Sequence, residues 1–130
     1  MKMKKEMREL VNYRLHRATE TLDDARLLLN NEKLFSAVNR IYYALFYAVS
    51  ALLLTKGLSS AKHSGILSLF NKEFISNGKI DKKWGRYYYE MFDFRQKADY
   101  KDLVHFAEKD VRQWLRKAED FIPFIQAFIS

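Results

Sequence analysis

Cysteine is absent from this 130-residue sequence, proline occurs once and glycine four times. Without thiols there is no disulfide framework, no thiolate metal site and no cysteine nucleophile, a composition that fits a reducing cytoplasm. So few turn-forming residues argue against an all-β domain. Long apolar runs are missing as well. The longest stretch free of charge, Ile41 to Thr55, has 15 residues, fewer than the about 20 that a spanning helix needs, and Tyr42, Tyr43, Tyr47 and Ser50 interrupt it. The N-terminus, Met1-Lys-Met-Lys-Lys-Glu-Met-Arg, starts basic like a secretory signal, but no apolar segment follows. These absences lead us to expect a soluble cytoplasmic protein with no membrane partner.

What is present is apolar and aromatic: 48% hydrophobic and 15% Phe, Trp and Tyr. That excludes a disordered chain, and the length sets one domain, residues 1–130. Val11, Leu15, Ala18, Leu22, Ala25 and Leu29 step by four and three, which predicts an amphipathic helix ended at Asn30-Asn31 by an asparagine in the left-handed conformation. A second helix, about 33–56, is apolar nearly all round and therefore enclosed by partners, with Gly57 as its stop. A third covers roughly 62–76, closed by Asn77-Gly78. Asp81 caps a fourth, in which Ile80, Trp84, Tyr88 and Met91 recur on one face. Val104, Ala107, Val111, Trp114, Ala118, Phe121, Ile125 and Phe128 predict a fifth, with Asp102 at its start and a kink or break at Pro123. Short connections favour antiparallel neighbours. The expected fold is all-α, a four- to five-helix up-and-down bundle.

Charge is uneven. The net formal charge is +7, and no acidic residue stands between Glu32 and Glu73, whereas Lys33, Arg40, Lys56, Lys62 and Lys72 do. Lys79, Lys82, Lys83 and Arg86 form a second cluster at the start of the fourth helix. Such surfaces attract phosphates or an acidic partner, or are simply solvated. Lys62, Lys82 and Lys83 are the candidate phosphate contacts.

Glycine-rich phosphate loops, paired metal-ligand histidines and the nucleophile elbow are all missing, so no metal or cofactor is implied. His16 lies among charges and reads as exposed. Three polar patches remain. Asn39, Tyr43 and Tyr47 share one face of the second helix, with Arg40 and Tyr42 beside them, and read as a binding face or a packing stripe. Lys62-His63-Ser64 opens the third helix, where the positive helix end disfavours a protonated His63; a cap or an acid/base role fits equally. Arg95 and Asp99 stand four apart near the end of the fourth helix, followed by Tyr100, and read as an ion pair or part of a site.

Taken together, the run Ala37-Val-Asn-Arg-Ile-Tyr-Tyr-Ala-Leu-Phe-Tyr-Ala, then Lys62-His63-Ser-Gly-Ile, then Arg95-Gln-Lys-Ala-Asp99-Tyr100, resembles the HEPN domain (higher eukaryotes and prokaryotes nucleotide-binding), closest to its small stand-alone prokaryotic branch. The likeness covers about residues 8–128. It implies a helical bundle that forms a homodimer, pairs with a minimal nucleotidyltransferase in a toxin–antitoxin-like unit and engages nucleotide or RNA. Ribonuclease members of the family carry an Arg, four to six residues, and then a His. Here the positions after Arg95 hold Tyr100, Lys101 and Asp102, and His105 falls outside the spacing. The resemblance therefore implies first a binding and regulatory protein. The alternative is a metal-independent endoribonuclease using Arg95 with Asp99, Tyr100 or His63. A structural helical partner with a basic face is the third reading.

Overall fold

In the computed structural model, which describes residues 3–100 and 103–130, five α-helices carry the chain: α1 (Lys5–Asn30), α2 (Leu34–Leu54), α3 (His63–Phe70), α4 (Lys82–Tyr100) and α5 (Glu108–Ile129). No strand occurs among the described residues. The all-α bundle expected from periodicity is the observed fold.

α2 is the axis of the molecule. α1, α3, α4 and α5 all pack against it, and Ala37, Val38, Ile41, Tyr42, Ala44, Leu45, Ala48 and Val49 are sealed from solvent. By length and composition alone this 21-residue helix would pass for a membrane span. Its burial among four neighbours explains the apolar circumference instead. Full burial of each large side chain is worth about 1.5–3 kcal/mol, so this helix anchors the core. Phe35 is the only large apolar side chain of α2 left exposed.

The α1 stripe folds as its spacing predicts, burying Val11, Ala18, Leu22, Ala25 and Leu29. Val11 sits against Ala51 and Leu54 at the far end of α2, so the two helices run antiparallel. Their corner is closed differently from expectation. Glu32, not an asparagine, takes the left-handed conformation at φ 59°. Glu32 N–H donates to Leu29 C=O and Lys33 N–H to Leu28 C=O, the paired bonds of a Schellman exit. Asn31 contributes through its side chain, whose amide donates to Leu27 C=O at 2.8 Å. Gly57 ends α2 as predicted, at φ 70°, with Leu58 N–H returning to Leu53 C=O.

The third predicted helix is observed in two parts. α3 passes into a π-helical turn over Asn71–Ile75, where Ser76 N–H reaches back five residues to Asn71 C=O at 2.8 Å. Asp81 caps α4, its carboxylate accepting from Lys83 N–H at 2.8 Å. Two expectations for α5 are corrected. The helix starts at Glu108, so Val104, His105 and Ala107 precede it, and Asp102 lies outside the described residues. The helical spacing of Val104 was misleading because this segment packs part-buried Phe106 against the core, with its ring between Phe35, Phe94 and Trp114. Nor does Pro123 break the helix, which continues to Ile129. Pro123 faces solvent, so water can satisfy the Glu119 carbonyl that its missing N–H leaves free. Tyr87 ties α4 to α5 by donating to Trp114 C=O at 2.6 Å, and Arg26 ties α1 to Glu119 of α5 at 2.8 Å.

Candidate functional site

Where α2, α3 and α4 meet, aromatic rings and guanidinium groups collect. The i, i+4 rule places Tyr42 and Phe46 on one side of α2 and Asn39, Tyr43 and Tyr47 on the next. The start of α3 faces the first set. His63 is the first residue of α3, and its ring stacks on Phe46 (centroids 4.6 Å apart) and on Tyr42 (5.6 Å), with the edge of Tyr43 at 5.5 Å. The buried Tyr42 hydroxyl lies 2.8 Å from His63 Nδ1. His63 therefore caps nothing; it is a ring held in an aromatic box.

Arg95 enters from α4. Its guanidinium carbon lies 5.4 Å from the Tyr42 ring centre and 5.5 Å from that of Tyr43. Arg95 Nη2 donates to the Tyr43 hydroxyl at 3.2 Å. Arg95 Nε is 3.1 Å from Asp99 Oδ2, close enough for an ion pair, as the spacing predicts. The alignment is nonetheless too poor for a hydrogen bond, so the buried Nε–H has no acceptor. Arg40 covers Tyr43 at 5.0 Å and donates from Nε and Nη2 to Asn39 Oδ1 at 3.0 and 2.7 Å. Leu28, Phe35, Ser36, Asn39, Arg40, Ala98 and Asp99 line the adjoining open cleft, about 410 Å³ in volume.

The electrostatics follow from burial and the arginine. Burial, then the Arg95 charge, hold the His63 pKa below its ordinary value, so the imidazole is neutral near pH 7. Burial pushes the Tyr42 hydroxyl up to about 12, against the pull of Arg95. Tyr88, more deeply buried behind Tyr42, is also raised. Chemically, the box offers a fixed positive charge beside Asp99, the part-exposed ring of Tyr43 and a neutral imidazole.

The HEPN domain sequence model matches residues 11–127. The chain belongs to the HEPN domain family. A UPF0332 protein of Thermotoga maritima is 56% identical over 125 residues, covering 96% of this chain and 95% of that one. Two proteins of Methanocaldococcus jannaschii, each named "Putative toxin", are 36% and 38% identical over 122 and 124 residues, covering 94% and 95% of this chain and 80% and 92% of theirs.

Of the residues singled out in the sequence, the HEPN fold brings Asn39, Arg40, Tyr43, His63, Arg95 and Asp99 to one place. Tyr100 stays apart: it is 79% exposed and faces Asp93, Gln96 and Lys97 on the other side of α4. His105 is exposed between α4 and α5. Lys62 flanks His63 at the surface, but Lys82 and Lys83 open α4, whereas Arg95 lies 13 residues further on, about 20 Å along the helix. They form a separate basic surface, because a helix holds its two ends apart whatever their charge. His16 is exposed, 3.6 Å from Glu20. Sequence reasoning placed Tyr42 in the first patch but missed Phe46 and Arg17. Phe46 carries an i, i+4 signal from Tyr42; Arg17, which covers the Tyr47 ring at 5.2 Å from α1, carries none.

Proposed function

We propose that this HEPN protein is the toxin-side member of a two-protein cytoplasmic unit, pairing with a minimal nucleotidyltransferase and gripping RNA through the cleft that Arg40 and Asp99 line beside Arg95. One observation carries the reading. Arg95, with 15% of its side chain exposed, sits on two tyrosine rings, and its buried Nε–H lies 3.1 Å from Asp99 Oδ2 without the alignment of a hydrogen bond. A charged donor so poorly met is costly where it stands. A phosphate oxygen, with a base against the neighbouring ring, would satisfy it. The naming of the two Methanocaldococcus relatives supports the toxin side; the pairing is what the resemblance to the stand-alone HEPN branch implies. Homodimerisation belongs to the same reading; with α2 enclosed, its surface is the outer face of α4, where Tyr89 and Tyr100 are exposed.

The test is fluorescence anisotropy of labelled single-stranded RNA against wild type and Arg95→Ala, across a salt series. Wild type should bind at low salt and weaken steeply as salt rises, and Arg95→Ala should lose about tenfold or more. No binding at low salt would overturn the reading.

A specific observation favours a second reading, metal-independent endoribonuclease: His63, a neutral imidazole, touches the same rings as Arg95. RNA cleavage without metal needs a group that moves protons beside one that stabilises phosphorane charge. Chelator-resistant cleavage that falls about 100-fold or more in His63→Gln while RNA binding persists would establish it.

A further inference from the structure

The arginine-on-tyrosine arrangement at Tyr43 is repeated one helical turn along α2. The Tyr47 ring lies 6.5 Å from Tyr43, centroid to centroid, and Arg17 of α1 covers it at 5.2 Å. One turn before Arg17 on the same side of α1 stands Arg14, whose Nε is buried and has no hydrogen-bond partner. Because α1 runs antiparallel to α2, the α1 stripe Leu28, Asp24, Thr21, Arg17, Arg14 runs beside the α2 stripe Asn39, Tyr43, Tyr47. Leu28 already lines the Arg40 cleft. The two stripes make one track, and α2 contributes no acidic side chain to it.

We propose that this track is the path of a single RNA strand, with a second phosphate subsite at Arg14 and Arg17. Arg40 and Arg95 hold one phosphate, Arg17 and Arg14 hold another, and the bases lie against Tyr43, Tyr47 and the guanidinium planes. Four residues of α-helix rise about 6 Å, close to the phosphate spacing of an extended strand, so the repeat of the helix suits the repeat of the ligand. The unbonded Arg14 Nε, like that of Arg95, is a donor awaiting an acceptor. The exposed Asp24 lies on the same stripe two turns from Arg17, and Glu20, 3.6 Å from Arg17 Nη1, is paired with the second subsite. It is half exposed and joined by a surface pair, which holds little energy against a phosphate. The inference rests on the RNA-binding reading above and extends it from one phosphate to a strand.

The experiment compares oligouridylates of about two and about eight nucleotides, by anisotropy at low salt, on wild type, Arg17→Ala, Arg17→Gln and Arg95→Ala. Wild type should bind the longer oligonucleotide about tenfold more tightly. Both Arg17 variants should keep the affinity for the short one, lose the gain with length, and lower the salt slope by about one. Arg95→Ala should weaken both lengths. If the Arg17 variants bind both lengths as wild type does while Arg95→Ala loses both, the track is wrong and the single-phosphate reading survives. If wild type binds neither length, the RNA reading falls and the track with it. If the Arg17 variants change only the oligomeric state by sedimentation, the face belongs to a second copy of the chain and the track is refuted.

Discussion

Tyr42→Phe keeps a fully buried ring and deletes the one hydroxyl that holds His63. The Tyr42 hydroxyl, at about 12, stays protonated across the neutral range. It can therefore donate to Nδ1, which places the imidazole proton on Nε2. Losing that bond costs about 1 kcal/mol, and the Nδ1 left behind costs up to about as much again, less because half-exposed His63 can recruit water. At about 4 °C per kcal/mol for a chain of this size, Tm should fall by about 4–8 °C. The His63 pKa moves in a stated direction too. It lies below the unfolded value near 6.5 because of burial and Arg95, so His63 contributes stability above about pH 6.5 that is lost as pH falls through the folded pKa. Tyr42→Phe removes a donor that favours the neutral ring and admits water, so the pKa rises toward its ordinary value and the acid edge of the stability profile flattens. Arg95→Ala should raise it as well, by removing the neighbouring charge. The assay is an NMR titration of the His63 ring protons beside thermal unfolding at several pH values. A wild-type His63 that titrates at its ordinary value would refute the electrostatic argument. A Phe variant with unchanged Tm and unchanged titration would refute the hydrogen bond.

Pro123→Ala should stabilise the protein by about 1 kcal/mol or more, because the exposed proline forfeits one helical bond in a helix that continues past it; denaturant unfolding checks this, and a loss of stability would mean that the ring packs. Asp81→Ala should cost about 1 kcal/mol by the same measurement, since its carboxylate caps the first turn of α4.

The fold was legible because its information is local. Steps of three and four place a stripe on a helix whatever surrounds it, and α1 buries the residues that the steps named. The errors fall where a tertiary contact outweighed the local pattern. Val104 and Ala107 fit the α5 register, yet the segment is drawn out of helix so that Phe106 can join Phe35, Phe94 and Trp114. Pro123 reads as a break only if its carbonyl partner is buried, and exposure is not written in the residue. Glu32 adopts a left-handed exit that its neighbours Asn30 and Asn31 would adopt more cheaply, because the Schellman bonds fix which position must turn.

The site divides along the same line. Arg95 and Asp99 were legible as a pair because four residues of helix bring them together without help from the fold. Asn39, Tyr43 and Tyr47 were legible as a face for the same reason. The meeting of that face with His63 and Arg95 depends on how α3 and α4 settle on α2, which no spacing encodes. That docking is itself driven by apolar residues with no role in the chemistry, such as Ile66, Phe70, Tyr88 and Met91. Lys82 and Lys83 show the converse: net charge counted along a chain adds residues that a rigid helix then holds apart. A basic sequence therefore says that phosphate is welcome, whereas an arginine donor left unbonded in a ring of tyrosines says where.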